Sequence, residues 1–215
     1  MLRRILSALT HQRDDDIVLE LAELGYVDGA PRPTPELYEV RGFRVVVENG
    51  RADIATPTVL ARLDEALELV ERHQPWRLRH MRRDIAQFRI ARFPCRGAFI
   101  PSERSCVTEL TFLARTDITA APVASSIVHE GMHARVHAMG VRADDRFNDR
   151  AREERLCRRA ELEFGRSLPA ELGAPVVERA IQSLALADRE VAPEIDWNMA
   201  AMRTAAVDRA STGEQ

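Results

Sequence analysis

The chain contains no lysine: all 31 of its basic residues are arginine. With abundant alanine, that skew reads as the habit of a GC-rich coding sequence, so a given arginine says little about guanidinium-specific chemistry. Cysteine is nearly absent too. Cys95, Cys106 and Cys157 form an odd, widely spaced set with no CxxC pair, which argues against a disulfide framework and for a reduced, cytoplasmic setting. No stretch approaches the roughly 18 consecutive apolar residues of a membrane helix. Arg3 and Arg4 precede only the short apolar run Ile5 to Leu9, and polar His11 to Asp16 follow where a cleavage site would stand, so no secretory signal is expected. There is no P-loop, no GxGxxG and no EF-hand spacing, so nucleotide and calcium chemistry find no support. No glycine elbow surrounds Ser125 and Ser126, which removes the serine-hydrolase reading. A net charge of −3 offers no global case for nucleic-acid binding.

What is present is ordinary globular composition, 45% hydrophobic and 30% charged over 215 residues. One domain is expected, with an N-terminal helix and hairpin appendage over residues 1–55 and a core over 56–210. Residues 14–24 look like a short acid-capped helix, and the three prolines between Ala30 and Pro35 mark a linker. Phe43 to Glu48 reads as a strand entering an Asn49-Gly50 hairpin, with Arg51 to Ile54 returning. Thr58 to Glu71 carries Leu60, Leu63, Leu67 and Val70 at helical spacing. Further strands are expected around Phe88 and Ile90, over Gly97 to Ile100 and over Cys106 to Ala114. Helices are expected over Ala121 to Met139, stopped by Gly140, then over Asn148 to Leu168, Pro175 to Ala187 and Pro193 to Arg209. The class is α+β, with a small twisted, mostly antiparallel sheet and a helical C-terminal half. The arginine-rich stretch Arg77 to Arg96 is read as a solvated face paired with Asp64, Glu65, Glu68 and Glu71 of the preceding helix.

The informative segment is His129-Glu130-Gly131-Met132-His133. On a helix, residues i and i+4 share a face one turn apart, so both imidazoles can reach one metal ion. Zinc suits two imidazoles and tolerates an open position for water. Glu130 lies about 100° round the helix from His129, beside the metal rather than on it. There a carboxylate acts as general base, taking a proton from zinc-bound water as it attacks a carbonyl.

A third ligand follows from helix geometry. His133 lies about 10 Å before Gly140 at 1.5 Å per residue. An antiparallel helix starting near Asn148 then brings Glu153 and Glu154 level with the histidines, while Glu161 overshoots by about two turns. Glu154 is preferred because it shares a face with Cys157, Arg158 and Glu161; Glu153 is second, and Asp144 and Asp145 rank third. Cys157 is read as a small buried residue rather than a fourth ligand. His137 is too far along the same helix and is read as a rim group.

This pattern, HExxH followed about twenty residues later by a helical glutamate, resembles the gluzincin branch of the zincin metallopeptidases over about Cys106 to Leu168. The resemblance implies a twisted sheet packed on the active-site helix, with an edge strand that binds an extended peptide. It also implies one zinc ion on His129, His133 and Glu154, with Glu130 as catalytic base acting on a peptide or protein substrate. Where thermolysin-like members carry an Asp four residues after the ligand glutamate, this chain has Arg158. No Tyr or His follows His137 to stabilise an oxyanion, which leaves an arginine such as Arg155 or Arg104 for that role.

Overall fold

The computed structural model describes residues 33–140 and 147–192, with residues 199, 202, 203 and 206 beyond them. The helix expected over 14–24, most of the proline linker, Asp144, Asp145 and nearly all of the helix expected from Pro193 lie outside the described residues.

Strands β1 (Glu36–Val40) and β2 (Phe43–Glu48) form an antiparallel hairpin. Its turn is Arg41-Gly42, with φ of 49° and 77°, the two positive angles a type I′ turn requires. Gly42 adopts this conformation without a Cβ penalty. Arg41 is held in it by Asp64, Glu68 and Glu71 on the next helix. The hairpin expected at Asn49-Gly50 is therefore one strand too late, and Arg51 to Ile54 is not a strand. The Asn49 side chain explains why: it accepts from the Arg51 amide at 2.9 Å and donates to the Ile54 carbonyl at 2.7 Å. An asparagine bonded to its own following backbone makes a turn out of the sheet, not a return into it.

That turn feeds α1 (Thr56–His73), with Pro57 in its first turn and Val59, Leu63, Ala66, Leu67 and Val70 buried along one stripe. Pro75 ends α1 but also opens a second helix, α2 (Pro75–Asp84). Then follow β3 (Gln87–Ala91), β4 (Gly97–Ile100) and β5 (Ser105–Glu109). The strand expected to continue to Ala114 stops at Glu109, whose carboxylate accepts from the Phe112 amide at 2.7 Å and caps the short helix α3 (Leu110–Ala114).

The five strands make one sheet in the order β1-β2-β3-β5-β4. β2 and β5 run parallel to β3, while β1 and β4 are antiparallel to their neighbours. The sheet is thus mixed, not mostly antiparallel as expected. The physical reason is the helical crossover through α1 and α2, which returns β3 parallel to β2. Alternating apolar residues such as Phe88 and Ile90 look alike in either direction. Phe43, Val45 and Val47 of β2 sit in the core.

Helix α4 (Ala120–Ala138) packs on α1, α2, β4 and β5, with Thr119 as N-cap and Gly140, at φ +67°, as the left-handed stop. Helix α5 (Phe147–Ser167) packs against α4 and against α6 (Ala170–Leu184), and the short α7 (Asp188–Val191) packs on α5. Pro175 lies inside α6 rather than at its start.

The arginine-rich stretch is not one face. Arg82 does reach Glu71, as expected, at 3.3 Å. Arg77 instead reaches across to Glu163 on α5 at 2.7 Å, Arg89 pairs with Glu48 on β2, and Arg92 pairs with Glu109 on β5. Helix α2 and strand β3 divide the run, so each arginine meets a different neighbour. Among the described residues no helix is long and apolar enough to cross a membrane.

Candidate metal centre

Helix α4 is buried almost all round, including Ser125, His129 and Glu130. Its polar residues therefore need partners, and these come chiefly from α5. The two helices run antiparallel, which sets Glu153 and Glu154 beside His133, Cys157 beside His129, and Glu161 beside both His129 and Ser125.

The Nε2 atoms of His129 and His133 face each other at 3.1 Å. The Glu154 carboxylate closes the triangle, with one oxygen 3.4 Å from His129 Nε2 and the other 3.4 Å from His133 Nε2. Each Nδ1 is occupied on the far side of its ring. His129 Nδ1 lies 2.7 Å from Glu161 Oε1, and His133 Nδ1 lies 2.7 Å from Glu153 Oε1. A carboxylate at Nδ1 takes the N–H and leaves the Nε2 lone pair pointing inward. Two imidazole lone pairs and one carboxylate then converge with no donor among them.

That donor set fits a divalent cation. A tetrahedral centre with bonds of about 2.0–2.1 Å has ligand-to-ligand edges of roughly 3.3–3.4 Å, close to the 3.1 Å between the two Nε2 atoms and the 3.4 Å from each of them to its own Glu154 oxygen. Cys157, fully buried, has its sulfur within 4.8 Å of a nitrogen donor on both histidines, nearer than its reading as a plain packing residue implied.

The electrostatics carry the same signature. Burial works against charge on His129, but Glu154 and Glu161 outweigh it and push its pKa up to about 10. His133 is likewise driven well above the ordinary imidazole value, with Cys157, Glu153 and Glu154 outweighing burial. Against the opposing effect of burial, Glu154 is held well below the usual carboxylate range by the two histidines. Burial also works to raise Glu161, but His129, Arg158 and Arg179 outweigh it and hold it down at about 2. Protons are thus held strongly between these acceptors.

Glu130 stands apart. Burial raises its carboxyl, against the pull of the two histidines, and among the described residues no hydrogen bond or ion pair holds it. A Cβ on Gly97 would lie 3.3 Å from Glu130 Cγ and 3.2 Å from Ser126 Oγ. Glycine at the start of β4 thus lets the edge of the sheet come down onto the helix beside Glu130.

Helix geometry brings His129, His133 and Glu154 together, and it brings Glu153 as well, on the outer side of His133. Sequence reasoning set Glu161 aside as two turns too far to be a ligand. It is instead the anchor of His129, itself gripped by Arg158 at 2.6 Å, Arg179 at 2.9 Å and Ser125 at 3.1 Å. The signal available was that Glu161 shares a face with Glu154. His137 is exposed, with its ring 5.8 Å from that of Phe99 on β4. The two arginines considered for an oxyanion are committed elsewhere: Arg155 to Asp188 and the Leu184 and Leu186 carbonyls, Arg104 to the carbonyls of Arg83 and Asp84.

Compared with family models, curated proteins and solved structures, the chain matches none.

Proposed function

We propose that the protein is a zinc-dependent hydrolase of zincin type, acting in the cytoplasm as a metallopeptidase on a peptide or protein substrate. The observation that carries this reading is the convergence of both Nε2 atoms and the Glu154 carboxylate on one point, with Glu130 free beside it. His129, His133 and Glu154 would hold one zinc ion. When bound, zinc supplies Lewis-acid polarisation and makes water a competent nucleophile near neutral pH.

The remaining work belongs to the chain. Glu161 and Glu153 keep both imidazoles in the tautomer that presents Nε2. Glu130, with its carboxyl raised by burial, takes a proton from the attacking water and returns it to the leaving amine. Among the described residues no strand pairs with the outer edge of β4, and an extended peptide could add there beside Glu130.

A second reading rests on Cys157. Were its thiolate to join the two histidines and Glu154, the centre would be closed and structural, and the protein a binding or scaffold module. Elemental analysis of tag-free protein dialysed against metal-free buffer tests the shared premise, with about one zinc per chain expected and none in His133→Ala. Glu130→Gln separates the two readings: peptide hydrolysis vanishes with zinc retained if the site is catalytic. A thiolate-to-metal charge-transfer band in the cobalt-substituted protein, lost in Cys157→Ala, marks the closed site. No metal in the parent protein, even after zinc is added back, sinks both.

A further inference from the structure

Helices α2, α4 and α5 enclose a cavity of about 360 Å³ whose walls include none of the histidines, carboxylates or the cysteine of the candidate metal centre. Neighbouring residues on a helix differ by about 100°, so Val128 and Met132 stand on the flank of α4 next to the one that carries His129 and His133. The floor is apolar: Met81 comes from α2, Val128 and Met132 from α4, and Ala160 from α5. Helix α2 reaches α4 this closely because residue 131 is glycine, where a Cβ would meet the Met81 methyl at 2.6 Å. The mouth is apolar too. Trp76, Met139 and Leu156 line it and stay 42%, 60% and 37% exposed. Large exposed apolar side chains gathered round one opening mark a binding surface, whereas the same residues scattered singly would not.

The rim carries positive charge beyond what the structure neutralises. Arg77, Arg135 and Arg159 line the cavity with a single carboxylate, Glu163, and Glu163 is taken by Arg77 at 2.7 Å. The one carboxylate that Arg135 meets among the described residues is Asp84, at 3.5 Å, and Arg83 already clasps Asp84 at 2.8 Å. Arg159 is exposed and, among the described residues, has neither hydrogen bond nor ion pair. His80 on the same wall registers the excess. Burial first, then Arg135, Arg83 and Arg79, hold its pKa below the ordinary imidazole value against the pull of Asp84. Unanswered guanidiniums above an apolar floor are the complement of a ligand with an apolar body and one anionic end. The volume lies at the small end of the range for ligand pockets, which gives room for one chain or ring and not for a row of helix side chains. Methionines in the floor and mouth adapt to an apolar body of variable shape.

We propose that this cavity binds a small amphipathic anion, an alkyl or aryl carboxylate, with its apolar body on Met81, Val128 and Met132 and its carboxylate held by Arg159 and Arg135. The site stands whether or not the protein is a hydrolase. An arginine–carboxylate pair can be bidentate, which fixes position as well as adding affinity. Charge-assisted pairs of this kind are worth about tenfold or more in binding.

The chain has two tryptophans, Trp76 and Trp197, so Trp197→Phe leaves Trp76 at the mouth of the cavity as the sole reporter. Full-length, metal-free protein with this change is titrated with decanoate, decanol and decylammonium, each below its micelle concentration, and Trp76 emission is read. Decanoate should bind saturably and about tenfold or more tighter than the alcohol or the ammonium, less so as salt is raised. Arg159→Ala should remove about tenfold of that affinity. Because Arg159 is exposed and holds nothing else, its loss should leave the circular dichroism unchanged. Leu156→Asp, which puts a like charge at the mouth, should weaken decanoate as well. No saturable change with decanoate, equal affinity for the three probes, or a preference for decanoate that survives Arg135→Gln combined with Arg159→Ala overturns the proposal. Saturable binding of an acidic amphipathic helical peptide by a cavity that ignores decanoate also overturns it, since the occupant would then be a helix. Metal content and hydrolysis play no part in this readout.

Discussion

Glu153, Glu154 and Glu161 belong to one helix and have one chemistry, yet the structure gives each a different task. Glu154 faces both Nε2 atoms, while Glu153 and Glu161 each hold one Nδ1. Removing the inner carboxylate and removing an outer one should therefore look different. If the proposed zinc site holds, Glu154→Ala removes a ligand and should abolish tight zinc binding. Glu161→Gln keeps the side chain's volume but weakens its grip on His129 and should lower zinc affinity by about 10–100-fold, the usual cost of losing a carboxylate behind a metal-binding histidine. Glu153→Gln should cost less, because Glu153 is partly exposed and water can take its place, whereas Glu161 is 1% exposed. Competition against a chromogenic zinc chelator measures all three. Equal affinities for Glu154→Ala and the parent would remove Glu154 from the metal site.

Among the elements, the α5–α6 pair decides where those carboxylates stand. The helices touch at two glycines: a Cβ on Gly173 would lie 2.2 Å from the Gly165 carbonyl oxygen, and one on Gly165 would press on Val176 and Val177. A backbone carbonyl cannot rotate away as a side chain can. Gly173→Ala gains up to about 1 kcal/mol of helix propensity, but the overlap forces the helices apart, and a net loss of about 1–3 kcal/mol is expected. Because α5 carries Glu154 and Glu161, and α6 carries Arg179, the same variant should also bind zinc more weakly. Denaturant midpoints with and without zinc report both effects. A variant as stable as the parent would mean that the helices do not approach this closely. Gly131, inside the HExxH segment, is a milder case, since the nearest atom to its added Cβ is the mobile methyl end of Met81 at 2.6 Å.

For the molecule as a whole, the buried site makes stability depend on pH and metal. Without metal, His129 has a folded pKa near 10 against an ordinary 6.5, so its contribution is complete below pH 6.5 and disappears as pH rises toward 10. Glu161, lowered from 4.5 to about 2, contributes above pH 4.5 and loses that contribution as pH falls toward 2. Metal-free protein should thus be most stable between about pH 4.5 and 6.5. On the proposed reading zinc would replace the protons between the acceptors, so the metal should release protons on binding and move the stability maximum to higher pH. Thermal midpoints across pH, with and without zinc, check the shift; identical profiles would contradict it. What was legible beforehand is placement. The HExxH segment on a helix ended by Gly140, and the nearness of Glu153 and Glu154 to its histidines, depend on local periodicity and on an antiparallel return, which a sequence expresses through 1.5 Å per residue and little else. The hairpin was misplaced because Arg41 takes a left-handed conformation held by three distant carboxylates, and no local rule sees those. The direction of β3 and the contact of Glu161 with His129 were likewise decided by packing between elements far apart in the chain. Sequence by itself determined which groups could meet on one helix face; tertiary structure decided which of them do, because a buried acceptor takes its role from whatever is packed against it.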